Sequence, residues 1–482
     1  MQTTDPAFTR HLHGDAPGPD GEEPPPREGA APRGPLALAL AGALVGALFS
    51  AVSTSDFMQH LDRQVHAIHC SFLPGAAREV AESGCRTAMM SPYSSFFRET
   101  LWGGVPVSLW ALAVFAFLAY RAALLLWRGR ATSGETKVLL AAAGLPVAVS
   151  VLYGVLSVAK LDVLCKVCVG VYAASALTFV GALLAHRAAD APGAVRLGTA
   201  LAEGAGLVVA VTLAYVALAP RPDREASLLG CAGLVRPEDW AGVMIPLASN
   251  RGGTPSIEVL DPLCPSCKAF DARLAASALR DRLDLKAVLF PLDSACNWMV
   301  TEAIHPGACA VSEAVLCAAG VGPGAKNTDA AGEVLRWAFG RQAELRGLAA
   351  RDEGALRAQI ERTFPGVRGC LGGSLVRSKL TKSLRWAVAN AIPVLTPQLF
   401  VADGRMCDED TDLGLEYTLA RMLSPEAERE RARRRAARPA PPRPPPVGEI
   451  QAGAEAAPAG LLPVAPAGGS AAGVEPPALA RE

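Results

Sequence analysis

Two pairs of cysteines in this 482-residue chain have the C-x-x-C spacing that thiol–disulfide exchange uses. Cys165 and Cys168 open a long apolar run, and Cys264 and Cys267 follow a short β-branched run at 256–260. Residues three apart on a helix have Cβ atoms about 5–6 Å apart, which a modest rearrangement brings to disulfide distance. A helix N-terminus also favours the thiolate, which is the nucleophile in exchange. The spacing therefore predicts redox chemistry at both pairs.

Composition indicates that the first of these pairs lies at a membrane. Hydrophobic residues make up 51% of the chain and charged residues only 19%, against about 25% in typical soluble domains. Runs of near-spanning length predict five transmembrane helices, at 36–52, 105–127, 138–159, 163–185 and 201–218. The 46 Lys and Arg balance the 46 Asp and Glu, so the chain has no overall attraction to nucleic acid.

Basic residues between the runs predict the orientation. They lie before the first run, between the second and third, and between the fourth and fifth: Arg27, Arg33; Arg121, Arg128, Arg130, Lys137; His186, Arg187, Arg196. The positive-inside rule places these groups and the N-terminus in the cytoplasm. The loop 53–104, the turn 160–162 and everything after 220 are then outside. Residues 51–53 resemble a signal-peptidase site, so the first run could instead be a cleaved leader.

This orientation, which made no use of the cysteines, places all twelve of them on the outer side of the membrane. Disulfides persist in compartments such as the bacterial periplasm and are rare in cytosol. Residues 1–34 and 424–482 are rich in Pro and charge without periodicity, and both segments are expected to be disordered.

The second C-x-x-C lies in a familiar order of elements. A strand at 256–260 precedes Cys264-Pro265-Ser266-Cys267, a helix-compatible stretch covers 269–283, and Thr396-Pro397 precedes another strand at 398–401 and a turn. This order resembles thioredoxin-fold proteins of the DsbA type. The resemblance implies that Cys264 attacks, Cys267 resolves, Pro397 is cis and faces them, and 298–391 is an inserted helical domain. Ser266 stands where DsbA carries His, which suggests a less oxidising pair.

The membrane half resembles the vitamin K epoxide reductase family. The residues that carry the likeness are Cys85, Ser91-Pro92-Tyr93, the motif 104–110, and Cys165, Cys168 and Tyr172, with Cys70 as the other loop thiol. The sequence departs from this family at two points. The 14 residues between the loop cysteines are more than the family usually has, and the second span has no Asn to hydrogen-bond a quinone carbonyl.

Together the two resemblances imply the fold class, a multi-domain membrane protein. A five-helix transmembrane bundle, with a four-helix domain at 35–190 and a linking helix at 195–220, precedes an α/β thioredoxin-like domain at 225–423.

The expected function is a quinone-dependent oxidoreductase that forms disulfides in exported proteins. Electrons would pass from a reduced client to Cys264 and Cys267, then to Cys70 and Cys85, then to Cys165 and Cys168, and finally to a ubiquinone- or menaquinone-type acceptor. Tyr172 and Ser91 would line the quinone site, although Tyr172 could be an interfacial residue and Ser91-Pro92 a helix start. Trp102 and Trp110 are expected as interfacial belt residues. The expected partners are reduced exported proteins, the membrane quinone pool and the lipid bilayer, in a bacterial cytoplasmic membrane.

Two other functions fit the same residues. The chain could run the relay in reverse as a quinone or epoxide reductase, or act as an isomerase. It could also be a non-enzymatic membrane anchor that binds a partner or a metal, with zinc at the C-P-S-C motif or at His66, His69, Cys70 and Cys85.

Six further cysteines predict structural disulfides, with 15 pairings open: Cys231, Cys296, Cys309, Cys317, Cys370 and Cys407. Cys309 and Cys317 share one apparent helix and should not bond each other.

Overall fold

The computed structural model of the chain describes residues 29–62, 67–73, 78–79, 83–161, 163–248, 252–320, 328–407 and 412–437. Arg27, His66 and Asp162, the predicted arm up to residue 28 and the tail from 438 lie outside these ranges. The chain divides into a large compact unit that ends at Ala432 and a C-terminal unit from Arg433.

In the described part of the N-terminal half there are six α-helices: α1 (Arg33–Gln59), α2 (Gly84–Met90), α3 (Val107–Arg128), α4 (Ser133–Leu156), α5 (Lys166–Arg187) and α6 (Leu197–Leu218). All except the short α2 are long and apolar enough to cross a membrane, which confirms the five predicted spans. The described segments outside these helices include three two-stranded sheets. In them β1 (Gly29–Ala30) pairs with β6 (Arg130–Ala131), β2 (Ile68–His69) with β3 (Arg78–Glu79), and β4 (Ser95–Phe96) with β5 (Val105–Pro106).

Two expected boundaries in this half were wrong. The arm predicted to end at residue 34 gives way to β1 at Gly29 and to α1 at Arg33. The outer loop predicted from residue 53 begins only after Gln59, because α1 continues through the polar residues that end the apolar run.

Helix α1 lies at the centre of the bundle, packed against both α3 and α5. Small residues allow the close approach: a Cβ on Gly181 would lie 2.4 Å from the backbone nitrogen of Ala39, and one on Gly42 would lie 2.6 Å from Oγ1 of Thr178. Helices in lipid gain stability from such van der Waals contact because lipid tails are as apolar as their side chains. The glycines therefore fix the spacing of α1 and α5.

The hairpin between α3 and α4 follows local sequence signals. Helix α3 ends at Gly129, whose φ of 64° is the left-handed conformation that glycine adopts without strain. Helix α4 begins with a capping box, in which Thr132 and Glu135 satisfy each other's backbone N–H groups.

The C-terminal half contains a six-stranded sheet in the order β7-β12-β11-β9-β10-β8. Its strands are β7 (Ala232–Gly233), β8 (Ile245–Ala248), β9 (Thr254–Leu260), β10 (Leu283–Leu289), β11 (Gln398–Val401) and β12 (Gly404–Arg405). Strands β9 and β10 are parallel, while β11 pairs antiparallel with β9, with Gln398 opposite Val259. Every residue of β9 from Ser256 onward is buried, as expected of a strand covered on both faces.

The described residues of this half also form nine α-helices: α7 (Arg224–Leu229), α8 (Pro265–Ala275), α9 (Ala308–Ala319), α10 (Thr328–Gly340), α11 (Gln342–Arg351), α12 (Glu353–Thr363), α13 (Ser374–Ala389), α14 (Leu415–Met422) and α15 (Pro425–Ala437). Helices α9 to α13 lie between β10 and β11, where the inserted helical domain was expected. The strand order, the helix that follows β9 and this insertion are consistent with a thioredoxin-like domain.

Two helix predictions in this half need correction. The helix expected over 269–283 is α8 followed by a 3₁₀ turn at Ala278–Arg282, because Ser277 accepts a hydrogen bond from the N–H of Leu279 and starts a new turn. The start of the segment expected to be disordered, 424–482, forms α15. Ser424 caps this helix and Pro425 occupies its first turn, where proline is favoured.

Three disulfides link the six remaining cysteines: Cys231–Cys407, Cys296–Cys309 and Cys317–Cys370. This confirms the prediction of structural disulfides in the soluble domain. Cys309 and Cys317 both lie on α9 and bond to different partners, as expected.

The packing of α1 on α5 generates a first prediction. Gly181→Val forces a side chain into the backbone of α1, and we expect the midpoint of thermal unfolding in detergent to fall by about 5 °C or more. Gly206→Val on α6 is the matched control, because no atom lies within 4 Å of its Cβ position. Equal midpoints for the two variants would contradict the described packing.

Candidate functional site

The soluble pair lies where β9 leads into α8. Cys264 is the residue that precedes the helix, and Pro265 occupies its first turn. The Cys264 thiol lies 3.5 Å from the backbone oxygen of Thr396, and the Thr396–Pro397 peptide bond is cis, as predicted. Cys264 and Cys267 are both free thiols. The order of strand, C-P-S-C motif, helix and cis-proline therefore brings the predicted residues together.

The two thiols differ strongly in acidity. A hydrogen bond from Cys267 is the largest cause that lowers the pKa of Cys264, to about 6, against the opposing effect of its burial. Burial raises the pKa of Cys267 well above its ordinary value. The thiolate form, which is the nucleophile, is therefore favoured at Cys264. Cys264 is only 4% exposed, because it packs into the apolar cluster formed with the inserted helices.

A buried ionic pair, absent from the sequence prediction, lies beside these thiols. The carboxylate of Asp261 accepts hydrogen bonds from the backbone N–H groups of Leu263 and Leu292, and Nδ1 of His305 lies 2.8 Å from its Oδ2. Burial lowers the pKa of His305, but the hydrogen bond to Asp261 and the negative charges of Asp261 and Cys264 together outweigh it, so the pKa is raised. The sequence signal that could have identified this pair is Asp261, an acidic residue directly after the buried strand β9.

A second carboxyl is buried within β9. Burial is the main cause that raises the pKa of Glu258 to about 8, and the nearby Asp271 adds to it. Its Oε1 has no hydrogen-bond partner among the described residues. This carboxyl is therefore favoured in its neutral form near neutral pH.

The other two predicted cysteine pairs are disulfides at one end of the helix bundle. Cys70 bonds to Cys85 in the loop, and Cys165 bonds to Cys168 at the start of α5. Cys165 caps α5, since its sulfur accepts the backbone N–H of Cys168 at 3.2 Å. All four cysteines belong to one apolar cluster, together with Phe49, Ile68, Val167 and their neighbours.

A glycine brings the two disulfides together. A Cβ on Gly84 would lie 2.4 Å from the backbone oxygen of Leu164. Gly84 directly precedes Cys85, and Leu164 directly precedes Cys165. The N-terminus of α2 therefore packs without a side chain against the N-terminus of α5, which places the loop disulfide beside the membrane disulfide.

A cavity of about 490 Å³ lies between these disulfides and the helices. Its walls are mostly apolar and include Cys85, Cys165 and Cys168, as well as the predicted Ser91 and Tyr172. Small-molecule sites typically combine apolar walls of this size with a few polar groups. The cavity can therefore hold a flat organic ring next to the Cys165–Cys168 disulfide.

Other aromatic and polar residues near the cavity clarify the alternatives. Ser91 ends α2 and donates its hydroxyl to the backbone oxygen of Ala88, so its interpretation as a helix start was wrong. Trp110 lines the cavity and stacks on Phe96, with ring centroids 4.9 Å apart. Trp102 is buried and donates to the backbone oxygen of Leu61, which does not fit an interfacial belt residue.

Asp56, near the end of α1, is a cavity residue that the sequence analysis missed. His69 donates its backbone N–H to Oδ2 of Asp56 at 2.9 Å, and its Nδ1 lies 2.7 Å from Oδ1. His69 was considered only as a zinc ligand. Within the described ranges no group of three or more His, Cys, Asp or Glu side chains is arranged to hold a metal ion.

The soluble domain contacts the loop through a buried cluster of charges. Arg273, near the end of α8, binds Glu416 of α14 and lies 3.4 Å from the backbone oxygen of Met90, the last residue of α2. Arg98 of the loop binds the same carboxylate at 2.7 Å, and Trp102 packs edge-on against Tyr417.

Cys264 lies at the opposite end of α8, about 13 Å along the helix axis from Arg273. The apolar cluster that contains it draws its members from 245–380, whereas the cluster of the two membrane disulfides draws its members from 49–171.

These features define a membrane protein with three cysteine pairs suited to thiol–disulfide exchange. Residues 37–183 match the model of the Vitamin K epoxide reductase family, so this part of the chain carries a domain of that family. Among solved structures, the oxidoreductase DsbA from Xylella fastidiosa matches with 20% identity over 39% of this chain and 91% of its own length, at a TM-score of 0.24. No curated protein matches. The family domain and the three pairs support a thiol–disulfide oxidoreductase.

The acidity of Cys264 generates a second prediction. In Cys267→Ala the thiolate loses its hydrogen-bond donor, so the pH midpoint for alkylation of Cys264 should rise from about 6 toward the ordinary value of about 8.5. Cys267→Ser keeps a donor and should stay well below the alanine variant. Iodoacetamide labelling of the full chain in detergent measures both, because the other ten cysteines are in disulfides. Equal midpoints would show that the hydrogen bond does not set the acidity.

The contact between α2 and α5 generates a third prediction. Gly84→Val separates the two disulfides, and we expect exchange between the loop and membrane pairs to slow at least tenfold, since a displacement of about 1 Å at a reacting centre can cost 10²-fold. Thr87→Val on the exposed face of α2 is the control. Rapid acid quenching followed by maleimide mass-tagging measures the exchange, and an unchanged rate in Gly84→Val would refute the arrangement.

Proposed function

We propose that this protein is a quinone-dependent thiol–disulfide oxidoreductase that generates disulfides in exported proteins. The observation that carries the proposal is the placement of the two membrane disulfides in one apolar cluster at the wall of the cavity. Disulfide exchange requires contact between a thiolate and a disulfide, and this cluster supplies it.

The cavity suits a quinone by size and lining. Tyr172 and Ser91 would lie along the bound ring, and Trp110 would offer an aromatic face to it. A bound quinone would accept two electrons and two protons. Cys168 would face it, while Cys165 is the partner that the loop cysteines reach.

The relay uses each pair in turn. A client thiolate attacks Cys264 of the oxidised soluble pair, and a second client thiolate then releases the client with a new disulfide and the soluble pair reduced. The Cys264 thiolate next attacks the Cys70–Cys85 disulfide, and Cys267 resolves the resulting mixed disulfide, which leaves the loop pair reduced. Cys70 meets the soluble domain, and Cys85 exchanges with Cys165. The loop is needed because the soluble pair cannot enter lipid and the membrane pair cannot leave it.

The soluble pair and the loop disulfide belong to different apolar clusters. The contacts of Arg273 and Arg98 with Glu416 hold the far end of α8 against the loop. We propose that the thioredoxin-like domain turns about this contact to bring Cys264 to Cys70.

We place the protein in a bacterial cytoplasmic membrane, with the N-terminus in the cytoplasm and every cysteine pair on the periplasmic side. Basic residues between the spans support this orientation, and five helices long enough to cross the bilayer support the multi-pass arrangement. Reduced exported proteins would be its clients.

Quinone reduction by a reduced, unfolded client protein in detergent tests the function. We expect turnover in the unaltered chain and a loss of at least 10³-fold in Cys168→Ala, because the last electron carrier is removed. In that variant Cys264 and Cys267 should stay reduced. The double variant Cys317→Ser with Cys370→Ser removes a structural disulfide only and should keep turnover within a few fold.

Other outcomes would favour the alternative functions. Rearrangement of client disulfides without quinone would indicate an isomerase. Stoichiometric zinc retained after dialysis, with no turnover, would indicate a metal-binding anchor.

A further inference from the structure

The buried carboxyl of Asp56 at the wall of the cavity has no part in the relay described above. It is 2% exposed and lies near the end of α1, within a helix long enough to cross the membrane. Burying a carboxylate beside an apolar cavity is costly, and ionisable residues in such positions usually serve function. Its partner and its neighbours indicate which function.

His69 contacts both oxygens of this carboxylate: its ring Nδ1 lies beside Oδ1, and its backbone N–H donates a hydrogen bond to Oδ2. His69 is also the residue before Cys70, and both His69 and Asp56 line the cavity together with Cys85, Cys165 and Cys168. The pair therefore lies beside both disulfides. The side chain of His69 is 20% exposed, so it can also exchange protons with water.

Exchange between the two pairs moves electrons but leaves protons behind. The Cys85 thiolate attacks Cys165: the Cys85–Cys165 bond forms, the Cys165–Cys168 bond breaks, and Cys168 leaves as a thiolate. The Cys70 thiolate then attacks Cys85: the Cys70–Cys85 bond forms and Cys165 leaves as a thiolate. Two electrons have passed to the membrane pair, while the two protons given up by Cys70 and Cys85 must still reach Cys165 and Cys168.

These protons cannot cross the apolar cluster without a carrier. An unprotonated thiolate at Cys168 would be an uncompensated charge at an apolar wall. Imidazole and carboxylate groups are the side chains that most often carry protons near neutral pH.

We propose that the Asp56–His69 pair carries protons between the loop thiols and the membrane thiols during this exchange. His69 takes the proton from a loop thiol, Asp56 stabilises the resulting imidazolium, and the proton passes on to the departing thiolate of the membrane pair. The inference rests on the proposed exchange between the two pairs and does not depend on the quinone step.

Few other groups compete for this role. Directly after α1, His60 has its Nδ1 2.8 Å from the backbone oxygen of Asp56, and it is not part of the cavity wall. The cavity walls contribute Tyr93, Tyr153 and Tyr172 as further titratable groups besides the cysteines. Of the described residues that line the cavity, Asp56 is the one carboxylate and His69 the one imidazole.

The test measures exchange between the loop and membrane pairs in quinone-free full-length protein in detergent. A jump in dithiol concentration starts the exchange at a chosen pH between about 5 and 9. Acid then stops it after a set time. We expect His69→Ala to slow exchange about 100-fold, as removal of a proton carrier typically does. Added imidazole should raise the exchange rate of His69→Ala at least tenfold. In a series of methylimidazoles, that rate should change with the basicity of the added base. Asp56→Asn should slow exchange and change the shape of its pH profile. His60→Gln is the matched control and should behave as the unaltered chain.

Each other outcome is decisive. If His69→Ala exchanges within twofold of the unaltered chain, or is slow but unresponsive to imidazole, the pair only ties the loop to α1 and the inference is overturned. If the unaltered chain shows no exchange between the pairs, the relay and the inference both fail. If exchange occurs and quinone is not reduced, the proposed function fails while the inference stands.

Discussion

Contact between sulfur atoms is the constraint on which this structure depends. Disulfide exchange cannot occur across a gap, so an aqueous thiol pair and a membrane thiol pair need a segment that touches both. Gly84 packs against the backbone of Leu164, where any side chain would clash, so Cys85 and Cys165 stay in one apolar cluster. Helix α1 also packs at this place, because Phe49 belongs to the same apolar cluster as the four cysteines.

The two halves of the chain meet at buried charges and at an apolar cluster that includes Trp102 and Tyr417, rather than at cysteines. Glu416 binds Arg98 from the loop and Arg273 from α8, and all three side chains are largely buried. Removing one partner of such a buried cluster is costly, because it leaves an uncompensated buried charge. The contact therefore holds the Arg273 end of α8 against the loop, whereas Cys264 at the other end belongs to a different cluster.

Much of this arrangement could be predicted from the sequence because its signals are local. Apolar run length identified the five helices, and the C-P-S-C motif after a strand located the soluble pair at the start of α8. The pairing of Asp56 with His69 was missed because it joins residues 13 apart across a loop, where no periodicity constrains the distance. The burial of Cys264 was missed for a related reason: the helices that cover it come from an insertion about 40 residues or more downstream. Helix α15 was missed because its charged composition suggested disorder, although Ser424 and Pro425 are a recognisable helix start.

The three structural disulfides have a consequence for how the protein is made. Cys231–Cys407 closes a loop of almost the whole soluble domain, joining residues 176 apart in sequence, and such closure typically contributes several kcal/mol to stability. A newly made copy carries these cysteines reduced until its own disulfides form. If the protein forms disulfides in exported chains, each new copy is itself a substrate of those already matured, and its own abundance becomes self-sustaining.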